Sequence, residues 1–276
     1  MANLKRLNIL LFFFIMMIIE CCDEWHYTEK KSGDTIYVGD YYINSNSDIM
    51  RVSNYTSIHG DLIIRGTDLK NLNGLDNLNS ITGGLYIGCD RFTFSRLSGD
   101  LVDSEVEGCE GNPNLVDIQG LGGLTHVGSN IFSLSSPYVV VVNNPLLTNL
   151  DGLSNLKTDG LFVKIEGNDA LEDVDGFDNF THLWGLEVHN NGSLTNLDGF
   201  ERVQTIDGEI GIWDNASLKN LNGLLNINTY MGDFLIVRSN ASLPACEAER
   251  LQEYIQNTGW DGTIDITDND ETAICD

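Results

Sequence analysis

Apolar residues recur along this chain in a fixed order. Leu186, Val188, Leu194, Leu197, Phe200, Val203 and Ile206 make one set, with Asn191 and Gly199 between them. Ile210, Ile212, Leu218, Leu221, Leu224 and Ile227 repeat it, with Asn215 and Gly223 at the matching places. Earlier copies begin at Val139 and Val163, and a partial one begins at Leu235, so the starts are 24, 23, 24 and 25 residues apart. Weaker copies begin at Leu62 and Leu85. The second is broken around Arg91 to Glu107 and resumes at Asn112. Residues 131–138 form a further insertion. About eight turns result, five of them clear. A period in this range is the mark of a repeat architecture, in which one unit cannot bury its apolar face alone.

Each position has a physical reading. The alternation Leu-x-Val or Ile-x-Ile predicts a short strand with one face inward. The asparagine after it marks a corner, where its amide can bond backbone groups of adjacent turns, so stacked copies predict an asparagine ladder. The Leu-x-x-Leu-x-Gly-Leu run returns the chain, and its glycine is expected to permit a bend. After the last repeat, Ala245 to Gln256 reads as a helix, with Ala248, Leu251, Tyr254 and Ile255 on one face, and Thr263 to Ile266 as a last strand. Together they predict a C-terminal cap.

Residues 55–243 resemble the receptor L domain. Tyr55-Thr-Ser-Ile-His-Gly-Asp-Leu-Ile-Ile, followed by Leu69-Lys-Asn-Leu-Asn-Gly-Leu-Asp-Asn-Leu-Asn-Ser-Ile-Thr-Gly-Gly-Leu-Tyr-Ile, carries the strand and return signatures of that family. The resemblance implies a mainly β fold, a right-handed β-solenoid of leucine-rich-type repeats with a short C-terminal helical cap. The segment from Leu243 to Gly262 is similar to the endings of bacterial surface lipoproteins with such repeats. In receptors of the insulin and epidermal-growth-factor type, the L domain contributes to ligand binding. The expected organisation is a signal peptide at 1–20, a linker and lead-in at 21–54, the repeats at 55–243 and the cap at 244–276.

The chain has 276 residues and a net charge of −26. That charge argues against nucleic-acid binding, which requires basic patches that displace counterions. Lys5 and Arg6 precede an unbroken apolar run from Ile9 to Ile19. Such a run is too short to span a bilayer, which takes roughly 20 residues, and fits a signal peptide. Export to the cell envelope or surface is expected, with secretion as the alternative. Cys21 or Cys22 is the expected lipid-attachment site, although Glu20 is not the small residue such a motif prefers. Export also favours pairing of the remaining cysteines, and their positions predict Cys89–Cys109 and Cys246–Cys275.

No catalytic constellation, phosphate loop or metal-ligand spacing stands out, so neither metal nor cofactor is expected. Three of five Asn-x-Ser/Thr sequons, at Asn191, Asn215 and Asn240, fall on the ladder position and read as repeat chemistry rather than glycan sites. Residues between the inward strand pairs are expected to face outward. These include Ile63, Val140, Val142 and Glu166, with Tyr86, Lys164, Glu187, His189, Trp213 and Arg238 as the candidate binding residues. An outward Trp213 between His189 and Arg238 predicts a docking hot spot for a protein or glycan ligand, unless the insertions around Arg91 or Pro137 cover it. The expected function is a non-enzymatic extracytoplasmic recognition module anchored by lipid. A passive envelope protein, or a glycan-active enzyme, is the competing expectation.

Overall fold

The computed structural model describes residues 27–31, 34–89, 110–128 and 138–275. The expected signal peptide, Cys21, Cys22, Cys109 and the insertions around Arg91 and Pro137 lie outside these residues.

The described fold is mainly β, built of two sheets whose strands pair almost entirely in parallel. The smaller sheet holds β1 (Tyr27–Lys31), β2 (Asp34–Val38), β4 (Ser57–His59), β6 (Ser80–Ile81) and β8 (His126–Val127). Only the pairing of β1 with β2 is antiparallel. The larger sheet runs through β3 (Tyr41–Ile43), β5 (Leu62–Ile64), β7 (Leu85–Ile87), β9 (Tyr138–Val142) and β10 (Leu161–Glu166). It continues through β11 (His182–His189), β13 (Ile210–Trp213), β15 (Phe234–Arg238) and β16 (Thr263–Thr267), with β12 (Thr205–Ile206) and β14 (Thr229–Tyr230) paired beside β11.

Strand pairing follows the repeat, with one register shift between Leu161 and Phe162 where β10 meets β11. Leu62, Leu85, Val139, Val163, Leu186, Ile210, Leu235 and Ile264 form one in-register row. Ile64, Ile87, Val141, Ile165, Val188, Ile212, Val237 and Ile266 form the next inward row. Up to Leu235 and Val237, both rows join one core with the leucines and phenylalanines of the return segments, and Ile266 packs partly buried against it. A register slip by one residue would turn both rows outward, so the buried face fixes the stacking.

The asparagine ladder is present and longer than the repeats suggest. Asn112, Asn144, Asn168, Asn191, Asn215, Asn240 and Asn269 are all buried. Asn191 shows the pattern. Its Oδ1 accepts from the backbone N–H and Nδ2 of Asn168, at 3.1 and 3.2 Å. Its Nδ2 donates to the carbonyls of Ile165 and His189 and to Asn215 Oδ1, at 2.9 to 3.1 Å. The residue before each ladder asparagine has a left-handed backbone: Gly111, Asn143, Gly167, Asn190, Asp214, Ser239 and Asp268 have φ of 55–70°. Asn269 places the strand predicted for the cap within the same ladder.

One expectation changes and one gains detail. Within the linker and lead-in expected at 21–54, β3 pairs in register with β5 and helix α1 (Asn46–Val52) buries Ile49 and Val52 in the core. The return-segment glycines are required for close approach rather than for a bend. A Cβ on Gly152, Gly176, Gly199 or Gly223 would lie 1.9–2.1 Å from a carbonyl oxygen of the previous turn. Each of these glycines sits in a short 3₁₀ turn.

Helix α2 (Ala245–Gln256) buries Ala248, Leu251 and Ile255 at the C-terminal end, leaving Tyr254 half-buried. The Cys246–Cys275 disulfide ties its first turn to the end of the chain, closing a separation of 29 residues. A loop of that size restricts the unfolded chain by about 3 kcal/mol in the chain-entropy picture. Cys89 is also disulfide-bonded.

Replacing a ladder asparagine strands several buried polar groups at once. Asn191→Ala is expected to lower unfolding free energy by about 3 kcal/mol or more, read from urea denaturation. Asn196→Ala, on the rim, is expected to cost under about 1 kcal/mol.

Candidate functional site

The candidate residues all leave the larger sheet on the side away from the main core, as the alternation predicts. Their exposure does not follow that prediction. Tyr86, Lys164 and Glu187 are each 5% exposed, Trp213 is 8% exposed and His189 is fully buried. Only Arg238 reaches well into solvent, paired with Asp265 at 3.2 Å. The expected docking hot spot around Trp213 is therefore not an exposed patch.

These side chains also settle against one another on the sheet. Trp213 and Gly211 are two apart on β13 and share its outer face. A Cβ on Gly211 would meet the Trp213 ring at 2.4 Å, so the indole lies across the space that the glycine leaves empty. His189, the cross-strand neighbour of Trp213, stacks on it with ring centroids 4.1 Å apart and planes 14° from parallel. Tyr86 repeats the device over Gly84. It belongs to a separate small cluster with Ile63, Cys89, Val140 and Val142, so it is not part of the Lys164–Trp213 group. Burial pushes its phenol well up.

Lys164 is the centre of the charged group. Its cross-strand partner is Glu187, and its Nζ lies 3.3 Å from Glu187 Oε2 and 3.0 Å from Glu166 Oε2. Burial pushes the Glu187 carboxyl up, by more than the Lys164 ammonium lowers it. Next to this triad, His189 has its Nδ1 3.3 Å from Asn190 Nδ2. With Asn190 donating there, the ring proton is on Nε2, which lies 3.5 Å from Glu166 Oε2 without a hydrogen bond. Burial first, and the nearby Lys164 charge second, push the His189 pKa down to about 3. The imidazole is neutral at ordinary pH.

The structure thus joins Lys164, Glu187, His189 and Trp213, adds Glu166 to them, and leaves Tyr86 and Arg238 outside. Glu166 was legible as an outward residue. Its role was not, because only the register shows that it faces His189 across β10 and β11. Gly211 is the other missed participant; a glycine two before an outward tryptophan was the available signal. Glu209 has a buried oxygen without a hydrogen-bond partner.

The arrangement is a class of site in which charge is held in fixed pairs on a rigid sheet. Among the described residues, no group of three or more His, Cys, Asp or Glu side chains could hold a metal ion, and no helix is long and apolar enough to cross a membrane. No family model and no curated protein matches the chain.

The His189 shift has a definite sign. A histidine whose folded pKa lies near 3, against 6.5 unfolded, binds fewer protons folded than unfolded within that window. Its contribution therefore falls as pH drops below 6.5. Between pH 7 and pH 5 the loss is about 2 kcal/mol. His189→Gln is expected to remove that part of the slope, read from urea unfolding at each pH.

Proposed function

We propose that the chain is an extracytoplasmic recognition module, a right-handed β-solenoid of leucine-rich type related to the receptor L domain, with no catalytic activity. The observation that supports it is the Lys164–Glu187–His189–Trp213 group. Four chemically distinct side chains from three adjacent strands are held in one constellation outside the main core. Buried ion pairs of this kind seldom add net stability relative to apolar residues of the same volume. Their placement is better explained as a buried scaffold that fixes the outer face of the sheet beside the accessible Arg238–Asp265 pair, which a protein or glycan partner reads. The burial of Trp213 gives weight to a second reading, a passive envelope protein in which the group only pins the sheet.

Export and anchoring form part of the proposal. The basic residues Lys5 and Arg6, the apolar run after them and Cys21-Cys22 support a lipid-attached protein of the cell envelope or surface. One acyl chain holds only weakly, so lasting attachment takes more than one.

Protein and glycan arrays probed with the mature domain separate the two readings. On the recognition reading, a ligand found in this way loses about tenfold or more in affinity with Arg238→Ala or Asp265→Asn, while the unfolding transition stays cooperative. Unchanged affinity in both variants sinks the proposed surface. Mass spectrometry of the mature N-terminus is expected to show an acylated Cys21 or Cys22; a free amino terminus elsewhere refutes the anchor.

A further inference from the structure

The last strand of the larger sheet has a neighbour on one side only. Thr263 N–H donates to the Asp233 carbonyl and the Thr267 carbonyl accepts from Ser239 N–H, so residues 263, 265 and 267 turn their backbone groups towards β15. The N–H and C=O groups of Ile264 and Ile266 then point to the open edge, where they have no partner among the described residues. The same two residues hold the inward positions. Those positions are fully buried from Leu62 and Ile64 to Leu235 and Val237, and half-buried in β16. The core ends on a face that one more strand would cover.

Beside this edge lies a pocket of about 360 Å³, lined by Ala245 and Glu249 of α2 and by Ile266, Asp268, Asn269 and Glu271. Asn269 ends the asparagine ladder there and is 8% exposed. Its Oδ1 accepts from Asn240 N–H and Nδ2, and its Nδ2 donates to the Val237 carbonyl at 2.8 Å. From Asn144 to Asn240, each Nδ2 also reaches the Oδ1 of the following turn. Asn269 has no such acceptor among the described residues, so a nearly buried amide proton is left over at the pocket.

We propose that β16 takes an extended basic peptide as a further strand, with a lysine or arginine side chain in this pocket. Ile264 and Ile266 supply the main-chain bonds of strand addition, and Asn269 Nδ2 offers its spare proton to an acceptor on the incoming chain. Ala245 and Ile266 suit the apolar stem of a long basic side chain, and Glu249, Asp268 and Glu271 suit its charged head. Residues 239–276 carry nine acids against one base, Arg250, which pairs with Glu247. A second copy of a chain at −26 brings like charge to the edge, so charge favours a basic partner over self-association. β16 also contains neither proline nor lysine, which commonly protect an unpaired edge.

The probe is a capped, fluorescein-labelled peptide, Lys-Val-Lys-Val-Lys-Val-Lys, titrated into the intact mature protein by anisotropy. Saturable binding is expected, with none for the same peptide carrying glutamate in place of lysine. N-methylation of all lysine amides in one version, and of all valine amides in another, tests the edge. One version is expected to lose binding and the other to stay within about threefold, because an added strand uses one of its two edges. The combined Glu249→Gln, Asp268→Asn and Glu271→Gln variant is expected to weaken binding about tenfold or more at an unchanged melting temperature. Asparagine accepts the left-handed backbone of Asp268. Bound peptide is also expected to slow hydrogen exchange at the Ile264 and Ile266 amides. No saturable binding, equal effects of the two methylated versions, or unchanged affinity in the combined variant overturns the proposal. Dimers of the protein alone that protect the Ile264 amide assign the edge to a second copy and overturn it too. This inference goes beyond the recognition reading of the outer face, and no variant here alters Arg238 or Asp265, so its failure leaves that reading intact.

Discussion

The described corners from Gly111-Asn112 to Asp268-Asn269 each close on one residue with a left-handed backbone and one buried asparagine, and the asparagine side chain does the work of a missing strand. At the corner the backbone leaves the sheet, so its N–H and C=O groups lose their ladder partners. An amide has both two donors and an acceptor, and it can serve the turn before, its own turn and the turn after. Asn144, Asn168, Asn191, Asn215 and Asn240 all do so, each handing its Nδ2 proton to the next Oδ1. Aspartate has no donor for this role and serine lacks the reach. That constraint sets the other positions. The amides meet only if the strands stay in register and the return segments come close, and close return segments exclude any Cβ at Gly152, Gly176, Gly199 and Gly223.

Much of this architecture was legible because the ladder, the glycine and the apolar rows recur at a near-constant interval. Asn269 was not, because it follows an isolated strand rather than a full copy. The N-terminal turn was hidden for a similar reason. Tyr41-Tyr42-Ile43 carries the strand pattern, but α1 replaces the Leu-x-x-Leu return, and its buried Ile49 and Val52 fill the core in place of the expected leucines. The role of the return glycines was misread because the contact that demands them is between turns, and a single sequence does not show distance.

The candidate site failed at a different step. Alternation along a strand gives the direction in which a side chain departs. It says nothing about where a long side chain comes to rest. Trp213 departs outward and then lies on Gly211 against His189, and Lys164 spans Glu166 and Glu187 instead of extending into solvent. A parallel in-register sheet brings such side chains together, since neighbours on adjacent strands are about 4.8 Å apart and each long side chain has a partner within reach. Direction was therefore readable from residue order, and the contacts each side chain makes depended on cross-strand pairing.

The same in-register stacking that favours amides penalises charge. A repeat places like above like, so acids at one position of successive copies face one another. Asp151, Asp175 and Asp198 occupy the first turn of successive 3₁₀ segments. Burial pushes the Asp173, Asp175 and Asp178 carboxyls up, and neighbouring acids push them further. A carboxyl with a raised folded pKa favours the fold more when protonated, so Asp173, Asp175 and Asp178 are eased by acid. His189 responds in the opposite sense, being neutral and buried on the sheet. The flanking copies carry Gln119 and Asn222 at the matching position, which keeps the polar edge and ends the column of charge. Stacked amides hold the turns together, and the length of an uninterrupted acidic column is limited by the repulsion that the same register creates.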